Sequence, residues 1–296
     1  MIFLALGTAL CTGLAAIIIS EVAGRAGGPM VISRWRSLTG AVALAGFAGA
    51  TGHWNKVQLH HLPMIIGSSL SAAVLGEFFL NKAYQQLGAR RAGLLFATAA
   101  PFSVVIGGIF LREIPTSGAL LGIVLVIAGL MLAIWFTPLH ESRTQRHAET
   151  ATSMWAIVSG LCAGLAQAVG NAMARAALTD GADPIAVMML RAIVAAGTFW
   201  FLWLVLRGSG KPQIFAPARR VLGALVLGAL ISFALGNTLL MIALGTGQTG
   251  LVTTLAATTP VMLLPLMWWR SGRCPNIRAW FGALLAVAGI ACIALL

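Results

Sequence analysis

The chain has 296 residues, 59% of them hydrophobic and only 9% charged, with a net charge of +12 and a mean hydropathy of +0.94. A soluble domain carries roughly a quarter charged residues, so this composition excludes a compact water-soluble domain. The positive excess is spread through short connections, with no basic tail and no nucleic-acid motif; it points to anionic lipid headgroups and membrane topology, not to DNA or RNA.

Met1-Ile2-Phe3 opens directly on an apolar run with no Lys/Arg segment before it, which reads as a first span and not as a cleaved leader. At ~20 apolar residues per span, the pattern predicts helices near 2–23, 29–50, 63–83, 92–111, 117–136, 154–174, 184–206, 221–243, 249–269 and 279–296. They must be helices because a helix satisfies its own backbone in lipid. Span 1 contains LCTGLA around Cys11, and span 2 opens on Pro29 and carries Arg34, Trp35 and Arg36. His53, His60 and His61 follow in the next connection; with no Cys, Asp or Glu beside them in the sequence, they read as solvated loop residues and not as metal ligands. Span 3 contains Glu77, span 4 Pro101, and span 5 the pair Gly122 and Gly129. The long polar stretch 137–153 then divides the chain into a first unit, 1–136, and a second, 154–296.

The second unit repeats the first. LCAGLA around Cys162 echoes LCTGLA, Pro184-x6-Arg191 echoes Pro29-x6-Arg36, and Gly236-Asn237 echoes Gly76-Glu77. Pro260 answers Pro101, and Gly282-x6-Gly289 answers Gly122-x6-Gly129. An odd number of spans per unit makes the second unit enter the membrane from the opposite side, giving two inverted five-helix repeats in an all-α membrane protein. Gly122, Gly129, Gly282 and Gly289 lie two turns apart on their helices, where small residues let backbones approach, so spans 5 and 10 are expected to form a seam between the repeats. The thiols of Cys11 and Cys162 read as small core residues, with no contact between them required. With both repeats in one chain, a monomer suffices.

The five-plus-five spans, the Pro-x6-Arg opening and the segment AYQQLGARRAGLLFATAAPFSVVIGGIFLREIPTSGALLGIVLVIAG (83–129) resemble the drug/metabolite transporter superfamily, in particular its EamA-type permeases. The resemblance covers nearly the whole chain and is firmest at Gly93, Pro101, Glu113, Gly122 and Gly129. WWRSGRCPN (268–276) departs from it, having no acidic residue to correspond to Glu113, and span 1 lacks a tryptophan that many members carry. The resemblance implies an inner-membrane permease with both termini cytoplasmic. The loop charges argue the reverse: Arg25, Arg90, Arg91, Arg143, Arg146, Arg207, Lys211, Arg219, Arg220, Arg270, Arg273 and Arg278 lie opposite the termini, against Lys56, Arg112 and Arg175 on their side.

An ionisable group inside a span is a functional-site hypothesis by default. Glu77 shares a helical stripe with Ser69, Ala73, Asn81 and Tyr84. It can carry a proton or hold a substrate ammonium, or it can simply pair with Lys82 or an arginine. Arg36 and Arg191 are candidate anion clamps, with helix anchoring as the plainer alternative. Trp35 fits either an interfacial belt or a cavity wall, and Arg34 a headgroup contact. Gln167, Asn171, Thr254 and Asn237 can line a cavity or bond a neighbouring helix, while Pro101 and Pro260 are expected to kink their helices and shape a gate. No phosphate-binding loop, nucleophile elbow, zinc-protease or dinucleotide motif occurs, so no catalytic residue, metal or cofactor is expected. The leading expectation is an exporter of a small polar metabolite such as an amino acid, working by alternating access with proton coupling as an option. The alternative is a flippase or flippase subunit for an anionic or lipid-linked substrate.

Overall fold

The computed structural model describes residues 1–22, 25–136, 154–207, 217–259, 261–262, 268 and 276–295, and every regular element among them is helical. The polar stretch 137–153 and Pro260 lie outside the described residues. In chain order the α-helices are α1 Ile2–Val22, α2 Pro29–Thr51, α3 Leu62–Ser68, α4 Glu77–Phe96, α5 Ala99–Phe110, α6 Ser117–Phe136, α7 Met154–Thr179, α8 Pro184–Arg207, α9 Arg219–Ala229, α10 Asn237–Thr246, α11 Thr249–Ala256 and α12 Ile277–Leu295. Local chemistry sets several boundaries. A proline opens α2, where its missing N–H costs nothing. Gly52 closes it in the left-handed conformation at φ 75°, with its N–H returned to the Ala48 carbonyl.

Two segments are π-helical, Ser69–Gly76 and Leu230–Gly236, and each leads directly into the helix that begins at Glu77 or Asn237. The wider turn rotates one part of each helix relative to the next, so the 3.6-residue stripe expected through Ser69, Ala73 and Glu77 does not hold. Ser69 is fully buried against α8, where its hydroxyl donates to the Arg191 carbonyl at 2.8 Å, whereas the Glu77 side chain keeps 23% of its surface exposed.

Helical bonding in α4 continues through 84–91, which the hydropathy pattern treats as a connection. Ala, Leu, Gln and Arg dominate that stretch, and all are good helix formers. The break comes instead at Ala97–Thr98. Pro101 cannot donate to the Ala97 carbonyl and its ring crowds that group, so the turn between α4 and α5 sits where the proline puts it. The second half turns at Ala257–Thr258, in the corresponding place.

Among the described residues, seven helical stretches are long and apolar enough to cross a membrane: Ile2–Ile19, Leu59–Leu80, Ala92–Phe110, Ser117–Phe136, Met154–Thr179, Pro184–Leu206 and Arg219–Thr246. Of the other expected spans, α2 carries Arg34 and Arg36, α11 is described over only eight residues, and α12 supplies a shorter apolar stretch, Ile277–Ile293.

Packing joins the two parts of the chain throughout. α6 lies on α12, α2 on α8, α4 and α5 on α7, and α1 on the second π segment with α9, α10 and α11. At the α6–α12 contact the four glycines meet backbone to backbone. A Cβ on Gly129 would stand 2.4 Å from the Ala286 nitrogen and the Gly282 oxygen, and one on Gly289 would stand 2.6 Å from the Gly122 oxygen. Gly122 and Gly282 are as crowded: a Cβ on either would stand 2.7 Å from a glycine carbonyl oxygen of the other helix. Only residues without a side chain allow this separation.

Candidate functional site

Glu77 opens α4 in the interior of the bundle, directly after the first π segment. Its Oε2 accepts a hydrogen bond from the Ser33 hydroxyl of α2, and its Oε1 lies 4.0 Å from Nη1 of Arg36. Arg36 reaches in the other direction as well: Nη2 donates to Oγ of Ser232, in the second π segment, at 3.3 Å. Ser232 passes its own proton to the Gly228 carbonyl at 2.8 Å. One guanidinium therefore spans a carboxylate of the first half and a hydroxyl of the second. Three quarters of each charged side chain is covered, and the buried Nε of Arg36 has no hydrogen-bond partner among the described residues. A half-buried charged pair whose contact is as long as 4.0 Å is an arrangement that an incoming polar or anionic group can enter.

A polar ladder on α7 leads away from this point. Gln167 stands beside Gly76, the residue before Glu77, and donates to Oδ1 of Asn171 at 3.2 Å. Asn171 is buried and donates in turn to Oγ1 of Thr253 on α11 at 3.3 Å. One turn further along, Arg175 ends the stripe. Its Nε donates to Oε1 of Glu113 at 2.8 Å, and its Nη1 caps the Leu244 carbonyl near the end of α10. The other carboxylate oxygen of Glu113 accepts the Thr249 N–H at the start of α11, at 2.6 Å. An anionic oxygen at a helix N-terminus is doubly favoured, by the free N–H and by the helix dipole. Glu113 thus ties the connection between α5 and α6 directly to α7 and α11, and through Arg175 to α10.

The same face carries two further ties between the halves. His53 Nδ1 lies 2.8 Å from Oδ1 of Asp183, and Lys56 Nζ donates to Oδ2 at 3.2 Å. Asp183 also caps α8, accepting the Ala186 N–H at 3.0 Å. Burial alone would push this carboxyl up, but the bonds from Ala186, Lys56 and His53 outweigh it and hold the carboxyl below its ordinary value. Next to it, His60 and His61 both approach Asp180. Met1 lies against Gly247 between α10 and α11, so the N-terminus belongs to this face too.

The remaining expected site residues fall elsewhere. Arg191 does not join Arg36: it is 6% exposed and its Nη1 is directed at the Met241 sulfur, 3.2 Å away. The repeat-matched arginines therefore have different surroundings, one facing a carboxylate and the other packed in an apolar core. Trp35 packs edge-on against Trp200. Arg34, read from sequence as a headgroup contact, is instead buried over Trp200 and Trp203 at 5.0 and 4.7 Å, in cation–π range. Thr254 turns back to the Gly250 carbonyl of its own helix and is fully buried, so it is Thr253 that meets Asn171. Asn237 is half-buried at the start of α10. The side chains of Asn81 and Tyr84 lie outside the described set, as does Pro260.

The profile of the EamA-like transporter family matches residues 1–135 and 154–295, nearly the whole chain. The chain belongs to the EamA-like transporter family. No curated protein matches it. A solved structure described only as "Crystal structure of protein" shares the fold at a TM-score of 0.79 and 14% identity, over 99% of this chain and 96% of that one.

As a member of the EamA-like family, the chain is a multi-pass membrane protein of a family of transporters. Several residues of the polar network carry no signal of their own in the sequence. Ser33, Ser232 and Thr253 are small hydroxyl residues within apolar runs, where packing roles are common. Glu113 stands out as a position of the family pattern, but nothing in the sequence ties it to Arg175 or Thr249. Asp180 and Asp183 are more than a hundred positions from the histidines they meet.

Proposed function

We propose that this EamA-like protein is a secondary transporter of ten spans, built as two inverted repeats at 1–136 and 154–296 with 137–153 as their link. It exports a small polar metabolite such as an amino acid or a related compound by alternating access, from an inner membrane with both termini cytoplasmic. The observation that carries this reading is Arg36, bound between Glu77 of the first repeat and Ser232 of the second. A substrate carboxylate competes with Glu77 for Arg36, and a substrate ammonium competes with Arg36 for Glu77. Either exchange breaks the Glu77–Arg36 pair within the first repeat and so alters the hold of Arg36 on Ser232 of the second, which is how binding can be coupled to their relative movement. Proton coupling follows if Glu77 takes up a proton when it releases Arg36. The reciprocal packing of α1 on spans 8 and 9, and of α7 on spans 3 and 4, supports the repeat reading.

Flux of radiolabelled amino acids into proteoliposomes with an imposed pH gradient tests the proposal. Uptake driven by the gradient and lost in Glu77→Gln is the expected result. Full gradient-driven flux in Glu77→Gln removes the coupling role. Scrambling of a labelled anionic lipid by the same liposomes, without solute flux, replaces the exporter reading with a flippase.

A further inference from the structure

We propose that His60, His61 and Asp180 form a Zn²⁺ site that bridges the two halves of the molecule. Nε2 of His60 and Nε2 of His61 lie 3.4 and 3.1 Å from the same oxygen, Oδ2 of Asp180. All three ligand atoms fall within 4.8 Å of one another. Tetrahedral zinc with bonds of about 2.0–2.1 Å places its ligands roughly 3.3 Å apart, so the two His–Asp180 edges, at 3.4 and 3.1 Å, already have the right length. The donor set, two imidazoles and a carboxylate, suits zinc and leaves the fourth position for water or a further ligand. A short 3₁₀ turn, Leu59–His61, brings the two rings to a centroid separation of 3.9 Å and presents both nitrogens on one side. His61 is held in place by burial, being 3% exposed, while His60 and Asp180 stay open at 61% and 67%. The site is therefore anchored on one ligand and accessible through the other two.

The ligands come from different repeats. His60 and His61 follow α2, whereas Asp180 follows α7, next to the Asp183 contacts with His53 and Lys56. In the free protein Nε2 of His61 also faces the Asp180 carbonyl at 3.3 Å, so a bound cation replaces that hydrogen bond, with the ring proton on Nδ1, and adds a coordinate bridge to the imidazole–carboxylate contacts. Slowing of transport by zinc would rest on the transporter reading above, but binding does not.

The test is calorimetric titration of Zn²⁺ into the full chain in detergent, freed of any polyhistidine tag, alongside visible spectroscopy with Co²⁺ as a tetrahedral reporter. One equivalent of Zn²⁺ and intense Co²⁺ bands are expected for the unaltered chain. His60→Ala and Asp180→Asn should each weaken binding by at least ~10–100-fold, the range seen even for outer-shell changes at metal sites. Both positions are exposed, so these variants keep their fold, and an unchanged size-exclusion profile verifies it. His53→Ala, outside the ligand set, should bind as the unaltered chain does. Absence of stoichiometric binding, unaltered affinity in His60→Ala or in Asp180→Asn, or an equal loss in His53→Ala would each overturn the site.

Discussion

The Glu113–Arg175 pair offers the sharpest test of how the halves are held together. Glu113→Ala removes the acceptor for Nε of Arg175 at 2.8 Å and for the Thr249 N–H at 2.6 Å. It leaves a guanidinium only 14% exposed, with the Leu244 carbonyl as its remaining partner. Breaking a buried pair from one side costs about 3–5 kcal/mol, and the residual exposure of both side chains argues for the lower end, ~3 kcal/mol. At roughly 2–4 °C per kcal/mol for a chain of this size, the apparent Tm should fall by about 6–12 °C. Arg175→Ala should cost less, because the carboxylate it leaves behind keeps the Thr249 N–H. The double variant isolates the pair: a coupling of about 1.5 kcal/mol or more is expected, since residues in one network do not add. Thermal unfolding of the four proteins in one detergent, at one scan rate, measures it. Additivity within ~0.5 kcal/mol would refute the reasoning.

Gly129→Ala forces a methyl to within 2.4 Å of the α12 backbone and should lower folded yield and thermal stability, with an overpacking cost of about 1–3 kcal/mol or more. Gly197→Ala meets nothing within 4 Å, so it should be neutral or stabilise by about 0.5–1 kcal/mol through helix propensity; equal effects of the two would contradict the seam. The carboxyl of Asp183 is held below its ordinary value of 3.8, so its contribution is full above that value and is lost as pH falls through the lower folded value. Asp183→Asn should therefore flatten the acid limb of the stability profile below about pH 4, and an unchanged limb would assign that limb to other groups. Ser232→Ala removes the second-half partner of Arg36 and should cost about 1.5–3 kcal/mol, the range for a bond to a charged group, in a thermal melt; no loss would make that contact incidental.

Seven of the expected apolar spans were legible because lipid imposes length and backbone satisfaction on any segment that crosses it. The glycine pairs of α6 and α12 were legible for a related reason: only a missing side chain permits that approach, so the residue type itself carries the message. The half-buried carboxylate stood out too, since Glu77 has no ordinary reason to sit between apolar neighbours. Its partners did not. A π turn depends on how the whole helix settles against its neighbours, and the two here reset the stripe that ties Ser69 to Glu77 in a regular helix. Arg36 and Arg191 share one motif, yet one meets Glu77 and the other a methionine, because the residue across from each is chosen by packing between the halves.

The histidines show the division most plainly. Read along the chain, His53, His60 and His61 have no acid beside them, and a loop is the natural assignment. Folding brings Asp180 and Asp183 to them from the other half, across more than a hundred residues. Composition, spacing and residue type determine which segments are apolar and long enough to cross a membrane and which helices can approach closely, because those constraints act on each segment separately. Which charge meets which is a property of two surfaces at once, and only the tertiary structure decides it.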